Sequence, residues 1–338
     1  MNRVLAAGTI GLAAALFAAP TALASNATIS GNNTVRVTSS GGERNGIGVV
    51  HSAPTDTYTV TDSSSNITAS GPCTSVNSNT VTCPGAGITR ISVGVANGDD
   101  AITLDRFTIP LNVRTDLRGS GGQDVINGAR GVDDINGGSS RDLIDGHEGA
   151  DELRGGRGTD TVFYLDRTTG LLVTVGHING DDGNELDLTG AVRDTVHGDI
   201  ENVFGGSGGS MMVGDSSDET LVGGDGADTL IGNNGDDVLL GFNGDDSHFG
   251  GRGRDLVRGG PGNDSMLGGP NGDRLLGGPD DDFIWGKKGR DVMKGKTGID
   301  RINAKDGARD IKINCGPGPK KLQGAKRDKK LDPKPKRC

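Results

Sequence analysis

Aspartate recurs every nine residues along two stretches of this chain, and a carboxylate repeated at a fixed spacing is a pattern with chemistry in it. The cleaner stretch, Gly223 to Asn303, divides into nine nine-residue units that all open on glycine, as in Gly223-Gly-Asp-Gly-Ala-Asp-Thr-Leu-Ile231. Their sixth positions are Asp228, Asp237, Asp246, Asp255, Asp264, Asp273, Asp282, Asp291 and Asp300. An earlier stretch, residues 119 to 163, holds five units in unbroken register, with Asp124, Asp133, Asp142, Asp151 and Asp160 in the same place. A hard cation such as calcium takes six to eight oxygens at about 2.3 to 2.6 Å, drawn from carboxylates and backbone carbonyls. The aspartates supply the charge. Glycine admits positive φ and lets turn carbonyls point inward. The candidate carbonyls lie near Gly223, Gly226, Gly232, Gly235, Gly241, Gly244, Gly250, Gly253, Gly259 and Gly262. Calcium, several ions of it, is the expected cofactor.

The elements that must position these groups follow from the rest of the unit. The eighth position is apolar in the nine later units (Leu230, Leu239, Val257, Met266, Leu275, Ile284, Met293, Ile302) with His248 the exception. The last three residues therefore read as a short strand whose single apolar side chain turns inward. Two units make a coil of about 18 residues, so that unit n lies under unit n+2 and the strands stack about 4.8 Å apart. One side then carries Asp228, Asp246, Asp264, Asp282 and Asp300, and the other Asp237, Asp255, Asp273 and Asp291. The fold expected is all-β, a parallel β-roll. Within it His248 reads as a tolerated core substitution with Phe249 filling in nearby, in preference to a metal ligand. Ser140, Ser217, Asn271 and Asp280 replace the fourth-position glycine, and Asn and Asp tolerate left-handed backbone best. In the units at Gly205 and Gly214, Ser210 and Glu219 stand sixth, which predicts units that keep the fold and bind metal poorly.

Composition sets the frame. With 338 residues, 61 of them glycine, 32% hydrophobic and 3% aromatic, the chain is unsuited to an ordinary globular core. A strict period with the apolar residue locked to one phase argues against simple disorder. One apolar anchor per unit and stacked like charges predict folding coupled to ion binding.

Residues 1–24 read as a signal peptide: Arg3, an apolar run from Val4 to Ala19, and the small-residue ending Ala22-Leu23-Ala24. Residues 25–93 form an N-terminal β region of alternating stretches such as Thr34-Val-Arg-Val37 and Tyr58-Thr-Val60. A first roll block, 94–163, includes Asn97 to Leu104 with Asp100 in sixth phase. Residues 164–204 interrupt the register, 205–303 are the main roll, and 304–338 are a basic cap with 12 Lys or Arg against 4 Asp or Glu. The cap complements the acidic end of the stack, so no nucleic-acid partner is inferred from it. No later segment is apolar enough to span a membrane. The four cysteines of an exported chain read first as disulfides, and pairing by proximity joins Cys73 to Cys83 and Cys315 to Cys338; zinc lacks a Cys-x-x-Cys.

The units Gly119 to Phe163 and Gly205 to Asn303 resemble the repeats-in-toxin (RTX) β-roll family, Gly-Gly-x-Gly-x-Asp-x-apolar-x. The resemblance implies a right-handed β-solenoid in which each ion sits between turns n and n+2. It implies up to seven sites in the nine intact units and up to three in the earlier five. Asp199-Ile-Glu-Asn-Val203 is similar to the spacer of such arrays. The end, Asp306-Gly-Ala-Arg-Asp310 to Cys315-Gly-Pro-Gly318, resembles the terminal cap of secreted actinobacterial RTX-like proteins, although Lys320 and Lys321 depart from it.

RTX arrays accompany enzymes as well as stand-alone binding proteins. No His-Glu-x-x-His or Gly-x-Ser-x-Gly occurs, and pairs such as Asp236-Asp237 and Asp245-Asp246 fall in turn phase. The reading is a secreted, extracellular calcium-binding protein without catalytic residues, structural or interacting with a cell-surface or matrix partner. The alternatives are an extracellular hydrolase or polysaccharide-acting enzyme, and an adhesin.

Overall fold

The computed structural model describes residues 25–31, 33–176, 183–184, 194–305, 307, 310–314, 316 and 326–327. The signal segment 1–24, most of the basic cap and the expected Cys315 to Cys338 pairing lie outside the described residues.

The described residues hold strands and turns and no helix, so no helix is long and apolar enough to cross a membrane. The strands assemble into three sheets. A long sheet of fifteen strands runs the length of the roll. It is faced first by a sheet of eight strands built from the N-terminal half and then by one of nine strands from the C-terminal half. Within each repeat block neighbouring strands are parallel and offset by one coil of two units: Val125 pairs with Leu143, Thr229 with Ser247 and Val238 with Leu256. The chain is therefore a β-roll in which successive units alternate between facing sheets.

The period has a physical cause in the side chains. The eighth residue of each unit lies on a strand of three to six residues and points into the space between the sheets, and Leu230, Leu239, Val257, Met266, Leu275, Ile284 and Met293 are all fully buried there. Along the later repeats a single column of apolar side chains per sheet forms the core. His248 takes its place in that column between Leu230 and Met266, fully buried, with neither ring nitrogen hydrogen-bonded. Phe249 does not fill in for it. As a ninth-position residue it points to the outer face, 40% exposed, beside Ile231 and Leu267.

The N-terminal strands are continuous with the roll. Thr34–Thr38 pairs parallel with Arg90–Gly94, which pairs with Arg114–Gly121 of the first repeat block. Gly46–Ser52 likewise extends the long sheet beside Ala101–Leu104. Cys73 and Cys83 are joined by a disulfide across the hairpin at the far edge of that sheet. At the interruption the long sheet does not break: Val162 pairs with Val203, an offset of 41 residues, and Leu221 follows at the usual offset. The extra chain changes the facing sheet instead. Thr195–Val196 ends the N-terminal one, and Leu171–Thr174 lies near the start of the C-terminal one.

Candidate metal centre

Each sixth-position aspartate sits where the turn enters its strand, and its side chain is buried between turns: Asp124, Asp133, Asp142, Asp160, Asp228, Asp237, Asp246, Asp273, Asp282 and Asp291 are at most 1% exposed. Burying a carboxylate without partners is costly, and one of its two oxygens has a fixed partner. The Oδ1 atom accepts the backbone N–H of the matching residue one coil earlier, except in Asp133, whose Oδ1 accepts the Thr115 hydroxyl at 2.7 Å. In the C-terminal sheet the chain of acceptors runs from the N–H of Ser210 to Asp228, then Asp246, Asp264, Asp282 and Asp300, at 2.5 to 3.1 Å. Along the long sheet it runs from Asp100 to Asp124, Asp142 and Asp160 at 2.8 to 2.9 Å. It runs again from Glu219 to Asp237, Asp255, Asp273 and Asp291 at 2.9 to 3.1 Å. In the N-terminal sheet Asp133 donates to Asp151 and Asp151 to Asp194, at 2.9 and 2.8 Å.

The second oxygen is different. Oδ2 of Asp124, Asp142, Asp151, Asp160, Asp228, Asp237, Asp246, Asp255, Asp264, Asp273 and Asp300 is buried with no hydrogen-bond donor. Two members depart from this: Asp133 Oδ2 accepts the Ala129 N–H at 2.7 Å and Asp282 Oδ2 accepts that of Gly278 at 2.7 Å. The unpartnered oxygen lies over the first glycine of its own unit. A Cβ on Gly241, Gly250 or Gly268 would collide with Asp246, Asp255 or Asp273 Oδ2 and press on the carbonyl oxygen of Gly259, Gly268 or Gly286, 2.8 Å away in each case. In these units carboxylate oxygen and turn carbonyl bound a small cradle, which a glycine alone leaves open. The fourth-position glycines serve the stacking: a Cβ on Gly244, Gly253 or Gly262, all at φ between 135° and 137°, would fall on the carbonyl of Gly226, Gly235 or Gly244. Ser140, Asn271 and Asp280 adopt the same left-handed backbone at φ 88°, 93° and 78°.

The electrostatics follow from this burial. Burial raises the carboxyls of Asp124, Asp142, Asp228 and Asp282 to about 7, those of Asp160, Asp237 and Asp255 to about 6, and those of Asp264 and Asp273 to about 8. Asp133, Asp151, Asp246 and Asp300 move in the same direction for the same cause. Neighbouring carboxylates add to several of these shifts and the ladder N–H groups oppose them. A column of buried oxygens that resists ionisation when alone fits a hard cation, which would supply the positive charge that the donor set lacks.

Sequence reading missed several members. Asp194, Glu201 and Asp310 continue the ladders outside the repeats: Asp160 donates its N–H to Glu201 Oε2 at 2.7 Å and Asp291 to Asp310 Oδ1 at 3.1 Å. Asn45 closes the N-terminal end through its N–H to Asp100 Oδ1 at 2.5 Å. A second, outer ladder uses the fifth position, where Asp236, Asp245 and Asp281 Oδ1 accept the N–H of Arg254, Asn263 and Ile299 at 2.7 to 2.8 Å. The Asp-Asp doublets were its visible signal. A separate group, Asp145, His147 and Asp166, has ligand atoms within 4.8 Å of one another, with the Arg106 guanidinium bonded to His147 and Asp166.

Stacked parallel strands, one carboxylate per turn and a glycine-bounded cradle beside it define a metal-type β-roll. Residues 116–142, 130–162, 213–247, 240–275 and 267–302 match the RTX calcium-binding nonapeptide repeat (4 copies). The repeats of this chain are RTX calcium-binding repeats. The match covers residues 116–162 and 213–302 and leaves out the N-terminal strands, the whole interruption at 164–204 and most of the unit that begins at Gly205. Among curated proteins, none matches the chain.

Proposed function

We propose that this is a secreted calcium-binding β-roll that completes its folding outside the cell when it meets the ion, and that it serves as a structural or surface-interaction element without catalysis of its own. The observation that carries the reading is the run of buried, unpartnered Oδ2 atoms, those of Asp124, Asp160, Asp237, Asp246, Asp255 and Asp273 lying beside a turn carbonyl. Asp124, Asp133, Asp142, Asp151 and Asp160 would hold ions in the first block, and the nine aspartates from Asp228 to Asp300 in the second, with carbonyls of the first and fourth turn residues. Bound calcium supplies positive charge between stacked turns, and weak extracellular-type affinity suits export from a low-calcium compartment. The paired aspartates support the non-catalytic reading, because in each doublet the fifth-position carboxylate accepts a backbone N–H of the next coil and the sixth-position carboxylate accepts one of the coil before.

The test is circular dichroism of the protein from Ser25 onward with calcium titrated from a chelator to about 10 mM, the range of extracellular modules. The expected outcome is a gain of β signal and a higher melting point with calcium. A full β signal in chelator, unmoved by the ion, would overturn the proposal.

A further inference from the structure

The interruption at residues 164–204 and the altered units after it appear in sequence to split the cation column, yet along the long sheet the geometry of an intact turn recurs there. Asp160 donates its N–H to Glu201 Oε2 at 2.7 Å, as each aspartate does to the next in the repeats. A Cβ on Gly155 would lie 2.5 Å from both Asp160 Oδ2 and the carbonyl oxygen of Asp199. That pair matches the one at Gly119, where Asp124 Oδ2 and the Gly137 carbonyl bound the space. The pentapeptide Asp199-Ile-Glu-Asn-Val203 splices the coil. Asp199 accepts the N–H groups of Gly155 and Gly156, Ile200 and Val203 fill the core, and Asn202 donates to the Asp160 carbonyl at 3.1 Å.

The next coil repeats the arrangement with a glutamate. Glu219 is 2% exposed, its N–H reaches Asp237 Oδ1 at 2.9 Å, and its Oε2 is buried without a donor. A Cβ on Gly214 would sit 2.6 Å from Glu219 Oε2 and 2.7 Å from the Gly232 carbonyl, the same two oxygens that border the cradle of an intact unit. The longer side chain folds back to put its oxygen where an aspartate's would be. Ser210, in the preceding unit, differs: its hydroxyl donates to the Gly208 carbonyl at 3.2 Å and brings no charge.

We propose that Glu201 and Glu219 are cation ligands that carry the long-sheet column of sites across the interruption, joining the two repeat blocks into one ion-binding roll. The inference rests on the calcium reading above and extends it to residues outside the repeat motif.

The experiment counts calcium bound by the full chain at equilibrium dialysis, with circular dichroism at saturating calcium as a check on folding. E201Q and E219Q each bind about one ion fewer than the parent, whereas D225N, an exposed carboxylate outside the ladders, binds the full number. E219D restores the residue of an intact unit and keeps the full count, which holds the test open if a glutamine variant fails to fold. Unchanged stoichiometry and affinity in E201Q and E219Q, with D264N losing an ion, would overturn this proposal and leave the calcium reading standing. No bound calcium in the parent chain would overturn both.

Discussion

At the residue scale the sixth-position carboxylate has two tasks, one per oxygen. Asp264 Oδ1 accepts the Asp246 N–H at 3.0 Å, while its Oδ2 has no donor and borders the first glycine of the unit. Asparagine preserves the first task and removes the second. D264N is expected to weaken calcium binding at its turn by at least about tenfold. In chelator it should melt no lower than the parent, because a buried like charge is gone. Melting with and without calcium checks this, and an equal drop in both conditions would make Asp264 merely structural. The first-position glycine is the counterpart: G259A is expected to lose the same site, since its Cβ would fall on Asp264 Oδ2. The aspartate phase was legible because a period of nine repeats the same signal many times. The division of labour between the two oxygens was not, since it depends on a neighbour one coil away.

At the element scale, a repeat strand, whether of three residues or six, turns its eighth-position side chain into the core, so a single poor anchor has no close substitute. His248 is such an anchor: burial lowers its pKa to about 4, and its two ring nitrogens have no partners between Leu230 and Met266. H248L is expected to stabilise the calcium-loaded roll by about 1 to 3 kcal/mol, the usual cost of unsatisfied buried polar groups. Urea denaturation at fixed calcium measures it, and a destabilised variant would show that the imidazole has a role that the core column does not explain. Sequence placed His248 in the core and misjudged Phe249, because the reading assumed local compensation whereas a strand sends successive residues to opposite faces. The interruption was opaque for a related reason. Once the phase is lost, nothing local reveals that Leu171–Thr174 and Thr195–Val196 belong to different facing sheets, or that Glu201 stands in for an aspartate.

At the scale of the whole molecule, the roll is a stack of buried carboxyls running from the Asn45 cap to Asp310, and its stability without metal must depend on their protonation. The N-terminal strands were legible as strands, but their membership of the same sheets was not, since Val37 and Val93 pair across more than half a hundred residues. That continuity makes the acid response a property of the entire roll. The ladder aspartates have an ordinary value of 3.8 and are raised by burial to between about 6 and about 8 in the fold. A raised folded-state pKa means that the fold binds protons more tightly than the unfolded chain. The contribution of these groups to the metal-free roll is therefore full below about pH 4 and is lost as the pH climbs through about 6 to 8. In chelator the β signal is expected to be stronger at pH 5 than at pH 8, and saturating calcium should restore it at pH 8. Because calcium must displace the protons still held near neutrality, binding at pH 7 should release protons. Titration calorimetry in buffers of different ionisation enthalpy reads that release directly. Heats that are the same in every buffer, or a metal-free roll that is more stable at pH 8 than at pH 5, would show that the buried columns are not where the ion binds.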